Sequence, residues 1–105
     1  ASFRENDARV APWRNMLSYT PLEGYLGVCS AIAGADFTAF AATAQVPMMA
    51  VAGDADVTTP PELMEKTAKL YGAEFHVIED AGHLPCVEKP AQTAALILDF
   101  MKRTA

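Results

Sequence analysis

Two side chains of this 105-residue chain, a carboxylate and an imidazole, have the chemistry that nucleophilic hydrolysis requires. Asp56 lies in Gly53–Pro60 (GDADVTTP), and His83 lies in Asp80–Pro90 (DAGHLPCVEKP). In such a reaction the acid orients the histidine, which takes a proton from a nucleophile and returns it to the leaving group. We predict that Asp56 and His83 are catalytic. One alternative is that Asp54 is the acid. The other is that Asp56 only forms a turn, because aspartate is common in turns.

The two segments follow two predicted β-strands. Residues 46–52 (VPMMAVA) form an unbroken apolar run that ends at Gly53, which is typical of a strand buried on both faces of a parallel sheet. Residues 74–78 (EFHVI) predict the second strand, and the helix between the strands is expected to end at Gly72. A strand–helix–strand unit implies parallel pairing. The acid and the histidine are therefore expected at one edge of the sheet, outside the carboxyl ends of the strands.

Helix signals account for most of the remaining chain. Helices are predicted over residues 7–19, from Thr20 to Gly34, over residues 37–43, from Thr59 to Gly72 and from Pro90 onward, with a loop over residues 79–89. Thr20 and Thr59 each stand three residues before a glutamate, a spacing typical of a hydroxyl that caps a helix. Two parallel strands with their helices make a poor core, because parallel sheets normally have both faces covered. The chain is therefore expected to be α/β and to form one end of a larger sheet.

The two loop motifs resemble the C-terminal half of the α/β-hydrolase fold. Gly-x-x-Asp-x-x-x-Pro follows the first strand and Gly-His-x-x-x-x-Glu-x-Pro follows the second, in the order acid then histidine that this fold uses. The resemblance implies that Asp56 is the triad acid and His83 the triad histidine. It also implies a helical cap segment over residues 1–44. Residues 45–105 would then form the C-terminal βαβα part of the core, with the last two parallel strands and their helices.

Residues 20–36 (TPLEGYLGVCSAIAGAD) are similar to the 3-oxoadipate enol-lactonases, which open an enol-lactone ring in bacterial aromatic catabolism. The similarity implies a cofactor-free hydrolase whose substrate is a small lactone or ester. Trp13, Met16 and Tyr25 of the expected cap are candidates for substrate contacts, although apolar helical stripes more often serve packing. Carboxylesterases, C–C bond hydrolases, dehalogenases and haloperoxidases are alternatives within the fold, because a fold does not settle a function.

A nucleophile in the expected setting is missing from the sequence. Ser2, Ser18 and Ser30 do not lie in the Gly-x-Ser-x-Gly elbow of this fold, and Cys29 lacks the strand that must precede an elbow. We therefore interpret the chain as a fragment that contributes the acid and the histidine, and expect it to be inactive alone. The missing N-terminal segment or a second copy of the chain is expected to cover the open edge of the first strand. A non-catalytic interaction domain is the alternative outside the enzymes.

The composition argues against other kinds of partner. The net charge is −5 and the basic residues are few and scattered, so a nucleic-acid surface is not expected. The longest uncharged stretch, residues 37–53, is too polar and too broken for a membrane span. Cys29 and Cys86 match no zinc or redox spacing, and the two histidines give no ligand cluster, so neither metal nor cofactor is expected. We expect a cytoplasmic protein with reduced thiols.

Overall fold

The computed structural model describes residues 7–41, 43 and 45–105. Its elements are, in chain order, α1 (Asp7–Tyr19), α2 (Leu22–Gly34), α3 (Thr38–Ala41), β1 (Met49–Gly53), α4 (Pro61–Tyr71), β2 (Glu74–Ile78), α5 (Pro85–Glu88) and α6 (Pro90–Thr104). The predicted α/β class is confirmed by these helices and by the parallel pairing of the two strands.

The described chain divides into two compact units near residue 40. One unit contains α1 and α2, and the other contains the sheet with α4, α5 and α6. In the first unit every residue from 11 to 34 is exposed, so the apolar side chains within that range remain uncovered. The assignment of residues 1–44 to a helical cap stays a prediction, and its residues 1–6, 42 and 44 lie outside the described part of the chain.

The sheet consists of β1 and β2 in parallel pairing, as the strand–helix–strand pattern predicts. Met49 lies opposite Glu74 at the start of the register. Gly53 lies opposite Ile78 at its end, so the two strands end side by side. β1 begins three residues later than predicted, because pairing starts only where the Glu74 N–H donates to the Met48 carbonyl at 3.0 Å. The loops that carry the predicted acid and histidine therefore leave the sheet at one edge.

The buried core of the sheet unit is small. The buried apolar residues of the described chain are Ala52, Ala68, Ile78 and Ala81. α4 contacts both strands, and Ala68 is the residue that this helix buries. Leu63 in the same helix remains 48% exposed. The sheet unit thus retains apolar surface that another segment can cover.

Two helix starts differ from the prediction. α2 begins without a side-chain cap, and the Thr20 hydroxyl instead donates to the Met16 carbonyl of the preceding helix at 2.8 Å. α4 begins at Pro61, also without a side-chain cap, because the Thr59 hydroxyl donates to the carboxylate of Asp56. Both predicted threonine caps are therefore wrong.

The other helix boundaries mostly follow the sequence signals. α4 ends at Gly72, which adopts the left-handed conformation with φ of 65°, and α6 begins at Pro90. The prediction of a loop over residues 79–89 missed the one-turn helix α5, which lies within this range. Among the described residues, none of the helices combines the length and the apolar character that a membrane span requires.

Candidate active site

The acid loop after β1 folds around the carboxylate of Asp56. The Asp56 N–H donates to the Gly53 carbonyl at 3.2 Å, which closes a tight turn. Oδ1 accepts the N–H of Thr58 at 2.8 Å and that of Thr59 at 3.1 Å, an arrangement typical of aspartate in turns. Oδ2 accepts the Thr59 hydroxyl at 2.6 Å and lies 2.9 Å from Nδ1 of His83. Only 7% of Asp56 is exposed, so these contacts replace water around the carboxylate.

The charge of Asp56 determines what each nitrogen of His83 does. Burial favours the neutral acid, but hydrogen bonds from Thr59, His83 and the Thr58 N–H outweigh burial and hold the pKa of Asp56 well below its usual range. An ionised carboxylate only accepts hydrogen bonds, so Nδ1 carries the proton that is shared with Oδ2. In the neutral imidazole the lone pair of Nε2 is then free to take a proton. The imidazole is 57% exposed, which leaves it accessible from outside the loop.

The histidine loop is held from its other side by Glu88. This residue is 8% exposed, and its Oε1 accepts the N–H of Gly82 at 3.0 Å and that of Leu84 at 3.4 Å. The two N–H groups flank His83 in the chain. One buried carboxylate oxygen therefore fixes the backbone on both sides of the imidazole.

Removal of the Glu88 carboxylate is expected to loosen the histidine loop. Glu88→Ala leaves two N–H groups without this acceptor and should lower the free energy of unfolding by about 2–3 kcal/mol. Glu88→Gln keeps an acceptor oxygen without the charge, and should lose roughly half as much because charge-assisted hydrogen bonds are about twice as strong as neutral ones. Chemical denaturation measures both effects, with Glu79→Ala at an exposed turn position as the control. Equal stability of Glu88→Ala and the parent protein would contradict this role.

Backbone hydrogen bonds tie the acid loop to the histidine loop. The Asp54 N–H donates to the Ile78 carbonyl at 3.1 Å, and the Ala55 N–H donates to the Ala81 carbonyl at 2.9 Å. In the opposite direction, the Ala81 N–H donates to Asp54 Oδ1 at 3.2 Å. The structure thus uses the side chain of Asp54 to join the loops, whereas Asp56 contacts the imidazole.

The predicted contact between Asp56 and His83 is confirmed, while their catalytic roles stay a prediction. The sequence-based prediction of the site missed Thr58 and Thr59, which follow the acid by two and three residues and supply three of its four hydrogen bonds. Threonine two or three residues after an aspartate in a turn is a suitable local partner for the carboxylate. At Thr59 the same residue also matched the pattern of a helix cap. Its hydroxyl can either bind the Asp56 carboxylate or cap the following helix, and it cannot do both.

The remaining candidate groups are not part of the acid–histidine pair. Trp13, Met16 and Tyr25 lie on α1 and α2 in the other compact unit, where they are 42%, 63% and 48% exposed. Their contact with a substrate stays a prediction. Cys29 and Cys86 are free thiols on exposed residues. Within the described part of the chain, no three His, Cys, Asp or Glu side chains are grouped to hold a metal ion.

The fold and the arrangement of the two loops define the class of the protein. Neighbouring parallel strands carry an acid and then a histidine on the loops that follow their carboxyl ends, which is the order of the α/β-hydrolases. The chain belongs to the α/β-hydrolase fold family and corresponds to the C-terminal portion of that fold.

Individual relatives place the chain within this family. It is 32% identical over 99 residues to "3-oxoadipate enol-lactonase 1" of Acinetobacter baylyi, an alignment that covers 93% of this chain and 37% of that protein. It is 39% identical over 62 residues to "(R)-3-hydroxydecanoyl-ACP:CoA transacylase" of Pseudomonas aeruginosa, which covers 55% of this chain and 21% of that protein. No protein-family model matches the chain.

A solved structure shows the same arrangement of helices and strands. A thermophilic esterase from Thermogutta terrifontis, with malate bound, matches 98% of this chain with a TM-score of 0.88 and 30% sequence identity. The match covers 39% of the esterase chain. The present chain thus spans less than two fifths of the length of the enol-lactonase, the transacylase and the esterase alike.

Proposed function

We propose that the enzyme to which this chain contributes hydrolyses a small lactone or ester, with His83 as the base and Asp56 as its orienting acid. The observation that carries the proposal is the 2.9 Å contact between Asp56 Oδ2 and Nδ1 of His83 at the carboxyl edge of parallel strands. The low pKa of Asp56 supports it, because an ionised acid keeps the proton of the neutral imidazole on Nδ1. The likeness to an esterase and to an enol-lactonase agrees with this chemistry.

The two side chains would act in two proton transfers. Nε2 of His83 takes the proton of a nucleophile, a serine hydroxyl in an elbow outside this chain, as the oxygen attacks the carbonyl. The imidazolium then gives that proton to the leaving oxygen as the carbon–oxygen bond breaks and an acyl-enzyme forms. Water repeats the sequence in the second half, and its proton passes through Nε2 to the serine. Asp56 remains ionised throughout and stabilises the imidazolium.

The substrate class that we propose is an enol-lactone. The similarity to "3-oxoadipate enol-lactonase 1" over 93% of the chain supports it. The test compares kcat/KM of the complete enzyme for 3-oxoadipate enol-lactone and for p-nitrophenyl acetate. The lactone should be preferred by about 100-fold or more, because polar groups of a matching site reject an analogue that lacks their partners. Preference for the simple ester would instead place the enzyme among the esterases.

A second candidate function is acyl transfer. The same acid and histidine could deprotonate a thiol in place of water in the second half of the reaction. The 39% identity to a transacylase over 62 residues favours this candidate. The test adds coenzyme A and measures the products by chromatography. Formation of an acyl-thioester, with less of the hydrolysis product, would support acyl transfer over hydrolysis.

The 105-residue chain alone should be inactive under this proposal. It contains a base and its acid, but no serine in a Gly-x-Ser-x-Gly elbow. A base without a nucleophile cannot form the acyl-enzyme. Turnover of either substrate by the pure chain, abolished by His83→Ala, would contradict the division of the site between two segments.

The open side of β1 is the proposed contact surface for the N-terminal portion of the enzyme. In the described part of the chain β1 pairs only with β2, and a groove of about 290 Å³ lies beside β1 and α4. Its lining residues are Met48, Met49, Ala50, Thr67, Ala68, Tyr71 and Ala73. An unpaired strand edge is a template for a further strand, and the lengths of the relatives leave a segment of more than half of such an enzyme to supply it.

We expect the isolated chain not to be a stable monomer. Exposed apolar surface and an open strand edge favour association when the natural cover is absent. Sedimentation at micromolar concentration should show self-association, and addition of the N-terminal portion should replace it with a one-to-one complex. Ala50→Glu in the groove should weaken that complex, whereas Ala95→Glu on an exposed position of α6 should not. A well-folded monomer that does not bind the N-terminal portion would contradict this proposal.

A further inference from the structure

The Thr59 hydroxyl is close to both side chains of the candidate site, the Asp56 carboxylate and the His83 imidazole. Its Oγ1 donates to Asp56 Oδ2 at 2.6 Å and lies 3.4 Å from His83 Nδ1. The same Oδ2 faces His83 Nδ1 at 2.9 Å. One carboxylate oxygen is thus shared between a hydroxyl and an imidazole, and the hydroxyl makes the shorter contact.

The orientation of the Asp56 carboxylate does not depend on this hydroxyl. Oδ1 is held by the N–H groups of Thr58 and Thr59 at 2.8 and 3.1 Å, and these bonds involve only backbone donors. Loss of the hydroxyl would leave both of them in place. The main consequence of the hydroxyl is therefore electrostatic, because a donor on Oδ2 stabilises negative charge that would otherwise act on the proton of His83.

We propose that Thr59 is a positioning residue whose hydroxyl draws negative charge from Asp56 Oδ2 and so limits how strongly Asp56 holds the proton on His83. Nδ1 keeps its contact with Oδ2, while the attraction between the carboxylate and a charged imidazolium is reduced. In the hydrolysis proposed above, the imidazolium can then release its proton to the leaving oxygen more readily. This kinetic consequence rests on the proposed function, whereas the effect on the charge of His83 does not.

The other charged groups near the imidazole are unaffected by a change at Thr59. Asp54 bonds the Ala81 N–H, and Glu88 bonds the N–H groups of the two residues beside His83. Asp80 and Lys89, which also belong to the histidine loop, face each other at 3.9 Å. These groups act equally in all the variants compared below, so a difference between variants reports on the Thr59 hydroxyl.

The first test is NMR titration of the His83 ring in the folded protein, alone or with the N-terminal portion. Thr59→Val removes the hydroxyl at nearly constant size and should move the titration midpoint of His83 upward from that of the parent protein. Thr59→Ser keeps the hydroxyl and should leave the midpoint unchanged. Thr104→Val is the matched control, because that hydroxyl bonds only the Phe100 carbonyl at the end of α6.

An unchanged or lowered midpoint in Thr59→Val would overturn the proposal. A purely structural threonine would reduce stability in thermal unfolding but leave the midpoint where it is. If Thr59→Val does not fold, Thr59→Ala removes the same hydroxyl without the added methyl contact and must show the same upward movement.

The second test uses the pH dependence of kcat/KM in the complete enzyme. The acid limb of the profile should move to higher pH in Thr59→Val by the same amount as the NMR midpoint, and in Thr59→Ser it should stay at the position of the parent enzyme.

The two tests distinguish the proposed role of Thr59 from the proposed hydrolytic function. A moved NMR midpoint in a protein without hydrolytic activity would support the role of Thr59 and contradict the proposed function. A moved profile with an unmoved NMR midpoint would contradict the role of Thr59.

Discussion

Replacement of His83 by alanine in the complete enzyme is expected to lower kcat for lactone or ester hydrolysis by about ten-thousand-fold or more, because the nucleophile then has no base. Asp56→Asn should lower kcat by nearly the same factor. The N–H groups of Thr58 and Thr59 both donate to Oδ1, so the amide oxygen of the asparagine must take that position. The amide nitrogen then faces His83 Nδ1 and donates to it. This donation moves the imidazole proton to Nε2, which can no longer act as a base.

Two control substitutions separate a catalytic loss from a folding defect. Asp54→Asn keeps an acceptor for the Ala81 N–H and should retain kcat within a few-fold. His76→Ala removes the other histidine, which lies in β2, and should also leave the chemical step intact. Single-turnover kinetics on all four variants, with thermal unfolding as a check on the fold, provide the measurement. If Asp54→Asn were inactive and Asp56→Asn active, the acid would be Asp54, and the site proposed above would be wrong.

The sequence predicted the sheet and the contact between Asp56 and His83 well, because the signals for both are local and strong. The apolar run before Gly53 and the turn residues around it identify a buried strand and the loop that follows. Once the second strand at residues 74–78 is recognised, parallel pairing alone places Asp56 and His83 at one edge. The 2.9 Å contact between them required no long-range information beyond this topology.

The threonine caps could not be predicted in the same way, because each hydroxyl has two partners within reach. With Thr59 as a cap, Pro60 and Pro61 would occupy the first two helical positions, and neither has an N–H, so the Glu62 N–H would be the one donor left for the hydroxyl. The structure shows the hydroxyl bound instead to the carboxylate of Asp56, three residues earlier. Thr20 instead satisfies the Met16 carbonyl, one of those left open at the end of α1. The residue types alone do not show which of two partners a threonine hydroxyl binds. The backbone geometry of the folded chain decides between them.

Gly53→Ala is expected to cause the largest loss of stability of any single methyl addition in the sheet unit. A Cβ at this position would overlap the carbonyl oxygens of Ala81 and Gly82, and would lie 2.6 Å from the carbonyl carbon of Ala81. These are backbone atoms, so no side-chain rotation can relieve the overlap. We expect the free energy of unfolding to fall by about 3 kcal/mol or more, at the upper end for overpacking of a buried site.

The same substitution should also separate Asp56 from His83. To make room for the methyl group, the end of β1 and the histidine loop must move apart, which strains the bond from the Ala55 N–H to the Ala81 carbonyl at 2.9 Å. Asp56 and His83 sit beyond that point on the two loops. Loss of their contact should appear as loss of the downfield Nδ1 proton signal of His83 and, in the complete enzyme, as a fall in kcat.

Gly27→Ala and Gly82→Ala provide graded controls for this prediction. A Cβ at Gly27, inside α2, meets nothing within 4 Å, and alanine there should raise stability by about 0.5–1 kcal/mol through helix propensity. A Cβ at Gly82 would lie 3.0 Å from Oε1 of Glu88, whose flexible side chain can yield, so an intermediate loss is expected. Chemical denaturation should therefore order the variants Gly27→Ala, parent, Gly82→Ala and Gly53→Ala, from most to least stable. A Gly53→Ala variant as stable as the parent, with the His83 signal intact, would show that the two loops are not held at the separation described here.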